Sequence, residues 1–277
     1  MKKMLKYAVI IICFFYIAFC AAVFIYPKPF FYHPQNSPSD IKHAHMYDYP
    51  AQEVRYKSSD GTPLYAWATP ARTKNKMIVY LHGNSDNIEE FYYKLKSFVY
   101  DGYGTFIPEY RGFGGIKGRI NQENLENDAI AAVKFLNKHG YKNSDIYLYG
   151  MSLGSHMAVH TAYQLQKEEV FAGIILEVPF DSMLQVVQKR FPFFPNRMIV
   201  RDKYDNSSEI RELKSPILVM GASQDQIVPV ELAKNLYEIS PNPKKIIIYE
   251  NAQHHNLFNF RNDLDVMNWI ETNEKNI

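Results

Sequence analysis

No cysteine follows Cys20 in this chain of 277 residues, and the two it has, Cys13 and Cys20, sit inside one apolar run near the N-terminus. The remainder can form neither an internal disulfide nor a thiolate metal site, so its fold must hold by packing alone. Charge of one sign is lacking as well. With 31 basic residues against 29 acidic ones there is no bias toward polyanions, and nucleic acid is not an expected partner. Internal repeats and low-complexity tracts are also missing. Aromatics are plentiful, with 21 Tyr and 18 Phe, enough for a large core and an apolar site.

Between Tyr7 and Tyr26 there is no charged residue at all, and Lys2, Lys3 and Lys6 precede the run. A helix of that length spans a hydrocarbon core of about 30 Å, so residues 1–26 are expected to be a short cytoplasmic stub and a membrane anchor. A cleaved signal peptide is the competing reading. Its apolar region is usually shorter, about 7–15 residues, and a small-x-small cleavage site is poorly formed around Ala18, Cys20 and Ala22. Bulky Phe19 argues against a lipoprotein cysteine at Cys20. Three lysines before the helix place the rest of the chain on the extracytoplasmic side.

Residues 27–50 are rich in proline and follow neither a helical nor a strand period, which predicts a solvated linker. From residue 51 to 277 the pattern is that of one catalytic-sized domain. It opens with a hairpin signal, Asp60-Gly61 between Val54–Tyr56 and Leu64–Trp67. Six short apolar runs follow: 77–81, 104–108, 146–149, 173–178, 217–220 and 245–249. Helix-like stretches at 87–100, 123–139, 154–166 and 230–239 separate most of them. This alternation predicts an α/β fold with a mostly parallel sheet covered by helices.

Gly150-Met151-Ser152-Leu153-Gly154 falls where a strand-like run passes into a helix-like one. That placement suits a serine nucleophile on a strained turn at a helix N-terminus, whose partial positive charge favours an oxyanion. Serine needs a general base, and the base an orienting acid. Asp225, just beyond the run 217–220, is the expected acid, with Glu177 and Asp181 as weaker candidates. After the last strand come His254 and His255, and spacing alone leaves either as the base. His82-Gly83-Asn84 ends the first buried run, so the N–H groups of Asn84 and Leu153 are the expected oxyanion donors, with His82 bracing the turn. His156 and His160 share a helix face, yet no H-E-x-x-H glutamate accompanies them. Packing or exposure is expected there, and neither metal nor cofactor is predicted.

These motifs in this order, Leu81–Asn84, Pro108–Gly114, Tyr149–Gly154, Glu177–Ser182, Gly221–Pro229 and Ala252–Asn256, resemble those of the α/β-hydrolase-domain serine hydrolases. The likeness covers roughly residue 54 to the C-terminus and is nearest to a membrane-anchored branch with a small cap. Glu109 stands where that family usually has aspartate, at a structural position. The resemblance implies the α/β-hydrolase fold, His254 as base through alignment of Asn251-Ala252-Gln253 to the family's turn, and cofactor-free hydrolysis of acyl esters or thioesters, often lipid-derived. It also implies a short cap at 180–214, where Phe191-Pro192-Phe193-Phe194-Pro195 suggests an aromatic flap. A serine peptidase of the same fold and a non-catalytic, membrane-tethered binding protein are the alternatives.

Overall fold

The computed structural model describes residues 2–26, 28–46, 48–241 and 243–275; Met1, Pro27, Tyr47, Asn242 and residues 276–277, which fall within the expected stub, linker and domain, lie outside the described residues. The apolar run is a helix, α1 (Lys2–Ile25), long and apolar enough to cross a membrane. The domain is built on eight strands: β1 (Gln52–Lys57), β2 (Pro63–Thr69), β3 (Met77–Leu81), β4 (Gly104–Pro108), β5 (Ile146–Met151), β6 (Gly173–Glu177), β7 (Ile217–Ala222) and β8 (Lys244–Tyr249). They form one sheet in the order β8-β7-β6-β5-β3-β4-β2-β1, parallel from β8 to β4, with the opening hairpin antiparallel at the edge.

Central strands of such a sheet bury both faces, which is why they read as unbroken apolar runs. In β3, Met77, Val79 and Leu81 point to one face, and Ile78 and Tyr80 to the other. The first face is covered by α2 (Gln122–Lys138), α3 (Leu153–Leu165) and, further along the chain, Val230–Ile239. The second is covered by residues 88–100 and the C-terminal helix Asn262–Glu274. The stretch expected as one helix over 87–100 is broken: helical turns at Ile88–Tyr92 and Lys96–Tyr100 flank a tighter 3-10 turn at Tyr93–Leu95. That turn carries Lys94, a lysine buried in the interior. Between β6 and β7 the expected cap is three short helices, α4 (Met183–Arg190), α5 (Asn196–Ile199) and α6 (Asn206–Glu209). We number Val230–Ile239 α7 and Asn262–Glu274 α8.

The proline-rich segment departs most from expectation. Residues 28–46 are laid on the domain as a strap rather than left in solvent. Tyr32 is buried, its hydroxyl bonded to Asp202 and Tyr204, and Ala44 is fully buried. His33 and Pro34 pair in parallel with Ser85 and Asp86. Gly114 donates its N–H to the Gln35 carbonyl, and Asp40 donates to Glu89. A buried aromatic anchor and main-chain pairing hold a strand without needing any sequence period, so a periodicity reading passes over it.

Candidate active site

Ser152 lies between the end of β5 and the start of α3 with φ 52° and ψ −116°, a conformation that few non-glycine residues adopt. Its neighbours make the turn possible. A Cβ on Gly150 would lie 2.2 Å from the Gly154 carbonyl oxygen, and one on Gly154 would lie 1.9 Å from the Leu81 oxygen. Ser152 donates its N–H to the Glu177 carbonyl at 2.9 Å, and Ser155 donates both its N–H and its hydroxyl to the Ser152 carbonyl. The turn is thus clamped between β6 and the first turn of α3.

His254 brings its Nε2 to 3.0 Å from the Ser152 hydroxyl, and its Nδ1 donates to Asp225 at 2.7 Å. With Nδ1 carrying the proton, Nε2 holds the lone pair that faces Ser152. Asp225 accepts the N–H groups of Ile227 and Val228 on its other oxygen, both at 2.8 Å, so its carboxylate cannot turn away. The loops of acid and histidine are also tied directly: Gln224 donates its N–H to the Ala252 carbonyl, and Asn251, at φ 63°, donates its N–H to the Ser223 hydroxyl. The structure therefore brings together Ser152, His254 and Asp225 from three separate loops at the C-terminal end of the sheet. His255 is exposed and packs edge-to-face on His254, ring centroids 4.8 Å apart.

Asn84 and Leu153 line the same cavity as Ser152. Leu153 is the first residue of α3, where the N–H has no intrahelical acceptor. Asn84 is fixed by the strap: its carbonyl accepts the His33 N–H at 2.9 Å and its side chain donates to the Phe31 carbonyl at 2.7 Å. Beneath it His82 is fully buried, Nδ1 on the Gly83 carbonyl and Nε2 3.0 Å from Glu109 in a contact off the line of a hydrogen bond. Glu109 in turn accepts the N–H of Ile88. The cavity, of about 360 Å³, is walled by Phe31, Phe180, Met183, Val187, Phe191 and Ile227, with Arg190 its one lysine or arginine among the described residues.

The two other candidate acids lie elsewhere. Glu177 is buried behind the sheet, accepting from Lys94 Nζ at 2.9 Å and from the Tyr149 hydroxyl at 2.6 Å. Burial, the largest single influence, pushes the Lys94 ammonium toward neutrality, but the charge and hydrogen bond of Glu177 together with the hydroxyls of Tyr80 and Tyr93 outweigh it and raise the pKa. Asp181 accepts the Ser182 N–H, and burial raises its carboxyl above the usual range. Neither pairs with His254. The roles of Lys94 and of the strap at Phe31–His33 are not marked in the sequence. The first shows only as a lysine on an apolar helix face, and the second has no periodicity.

A strained serine elbow with an imidazole and carboxylate in line, at the C-terminal edge of a mostly parallel sheet, defines the α/β-hydrolase architecture. Comparison with known proteins agrees on the fold, and the chain is similar to α/β-hydrolase-domain proteins. A family model described as "Serine aminopeptidase, S33" matches residues 72–198. The uncharacterized protein YfhR of Escherichia coli O157:H7 is 26% identical over 262 residues, covering 91% of this chain and 89% of YfhR. Lysophosphatidylserine lipase ABHD12 of Xenopus tropicalis is 26% identical over 216 residues, 71% of this chain and 55% of the lipase. The esterase Pf2001 of Pyrococcus furiosus superposes with a TM-score of 0.68 at 17% identity, over 88% of this chain and 98% of the esterase.

Two stability outcomes follow from the geometry. Gly154→Ala must displace the β3 backbone and is expected to destabilise the protein by about 3 kcal/mol or more, read as a fall in melting temperature. Lys94→Met alone strands a buried carboxylate and should lose about 3–5 kcal/mol, while adding Glu177→Gln recovers much of it. Additive losses in the double variant would rule out a paired charge.

Proposed function

We propose that the protein is a membrane-anchored serine hydrolase that cleaves carboxylic esters or thioesters of lipid-derived, amphiphilic substrates through an acyl-enzyme. The observation that carries this reading is the unbroken line from Asp225 through His254 to the Ser152 hydroxyl. In the proposed reaction His254 Nε2 takes the hydroxyl proton as Ser152 Oγ attacks the acyl carbonyl. The N–H groups of Asn84 and Leu153 receive the oxyanion, and the proton passes to the departing alcohol or thiol. Water, deprotonated by the same imidazole, then releases the acid.

The cavity walls favour an acyl chain over a peptide. Recognition of a peptide's free amine calls for a carboxylate, and none of the described side chains lining the cavity is one. Arg190 offers a cation for an anionic head group instead. A monoacyl phospholipid combines these features, the substrate type in the name of the ABHD12 relative.

The anchor joins this reading. Tyr16 of α1 donates its hydroxyl to the Phe193 carbonyl at 2.9 Å and stacks on Phe194, and Cys20 and Val23 pack with Val187, Ile199 and Val200 of the cap. Tyr16 lies ten residues before Tyr26, about 15 Å along a helix. With α1 across a bilayer and the domain on the extracytoplasmic side, the flap reaches the outer half of the hydrocarbon, where Phe193, 90% exposed, has lipid around it. Substrate then enters the cavity past Phe191 from the membrane.

A fluorophosphonate probe should label the full-length protein, and Ser152→Ala should abolish the labelling. Asp225→Asn is expected to lower kcat by about 10⁴ with little change in KM. Absence of Ser152-dependent labelling in folded protein favours a non-catalytic binding protein. Phe193→Ser should slow hydrolysis of vesicle-borne lysophospholipid about tenfold and leave a short soluble ester unchanged. Equal rates on both would remove the membrane-facing flap.

A further inference from the structure

Away from the active site, on the outer side of α3, three segments bring titratable side chains together. His156 and His160 come from α3, Glu126 from α2 and Glu209 from α6. Spacing alone offered two histidines and no third ligand; the fold supplies Glu126. One potential ligand atom from each of Glu126, His156 and His160 falls within 4.8 Å of the other two.

The hydrogen bonds fix which nitrogens are free to bind. Asn206 donates its amide N–H to the Phe180 carbonyl at 2.8 Å, so its oxygen faces His156 Nδ1, 2.9 Å away, and that nitrogen must carry a proton. His160 Nδ1 is 2.8 Å from Glu209 Oε1 and donates in the same way. Both Nε2 atoms then present lone pairs to one carboxylate: His156 Nε2 lies 2.8 Å from Glu126 Oε1, and His160 Nε2 lies 3.7 Å from Oε2. Two lone pairs and an anion facing each other demand a cation. The second oxygen of Glu209 is buried without a hydrogen-bond partner, a further sign of uncompensated negative charge.

We propose that Glu126, His156 and His160 bind one divalent transition-metal ion, with zinc the best match to the donor set. Nitrogen and carboxylate ligands at about 2.0–2.2 Å suit zinc, and tetrahedral bonds of that length set neighbouring ligand atoms about 3.3 Å apart. With one carboxylate oxygen toward each imidazole, the separations of 2.8 Å to Oε1 and 3.7 Å to Oε2 lie on either side of that value, so a small turn of the Glu126 carboxylate would serve one ion. Each histidine already has the outer partner that metal-bound imidazoles use, an amide oxygen for His156 and a carboxylate for His160. An ion of charge two also balances Glu126 and Glu209. Glu126 borders an open cleft of about 820 Å³ that gives an ion access from solvent. The bound ion would tie α2 to α3 one helical turn beyond Ser152, and through Asn206 and Glu209, which hold the two imidazoles, would fix α6 at the base of the cap. This site does not depend on the proposed reaction.

The test uses full-length protein in detergent, stripped with a chelator and reloaded with Zn²⁺ or Co²⁺. Wild type should bind one more zinc per chain than either Glu126→Gln or His160→Gln, by elemental analysis. The cobalt form should show the strong visible absorption of a tetrahedral site. At a hundredfold excess of zinc over its dissociation constant, the melting temperature should rise by about 5 °C in wild type and not in the variants. Circular dichroism and a cooperative melt confirm that each variant is folded; should one fail to fold, the other decides. If folded wild type binds no more zinc than the variants and its melting temperature does not move, protons alone satisfy the cluster and the metal site is overturned.

Discussion

The backbone of Ser152 is the constraint on which the other parts depend. A non-glycine residue at φ 52° stores about 1–3 kcal/mol of strain and persists only where its surroundings over-determine it. Here they do so from three directions. β6 accepts its N–H, α3 starts from its carbonyl, and the end of β3 presses on Gly154 with no room for a methyl group. The same compression that strains the serine brings the Asn84 turn beside it. The Ser152 hydroxyl and the Asn84 and Leu153 N–H groups are therefore not positioned independently but are two consequences of one contact between β3 and α3.

Charge is buried on both sides of this contact. Behind the sheet Glu177 joins Lys94 to Tyr149, whose hydroxyl also accepts from Asn262, so β5, β6, the broken helix over 88–100 and α8 meet at one polar node. Toward the hairpin Arg111 holds Asp128 of α2 and Asp60 of the turn. Buried pairs add little net stability compared with apolar residues of like volume, yet a misplaced partner is heavily penalised. In this chain they sit where segments distant in sequence must register, a role that apolar packing of similar side chains fills less selectively.

Sequence patterns carried the frame well because each strand of the central sheet is buried on both faces and flanked by short connections. Strands 77–81 and 104–108 and the helix 230–239 agree with the structure to the residue. The order of serine, aspartate and histidine placed three side chains that the fold does bring into line, and their neighbour His255 is separated from His254 only by which ring turns inward. Features that depend on distant pairing were out of reach. Glu126 looks like any polar residue on an amphipathic helix until α3 is packed against it. Lys94 reads as a surface lysine, and the strap has no period at all. Glu109, in place of the usual aspartate, is accommodated because its longer side chain spans to both His82 and the Ile88 N–H.

The strap also bears on how the domain would meet a lipid substrate. Because residues 28–46 are fastened to the domain from soon after α1 ends, little slack is left between helix and catalytic unit. On the proposed reading the domain cannot reach outward on a tether to sample a volume; it patrols the lipids bordering its own base. Turnover would then follow the mole fraction of substrate in the surrounding leaflet rather than its bulk concentration, so that dilution of the substrate lipid within the membrane would slow the enzyme while dilution of the membranes themselves would not.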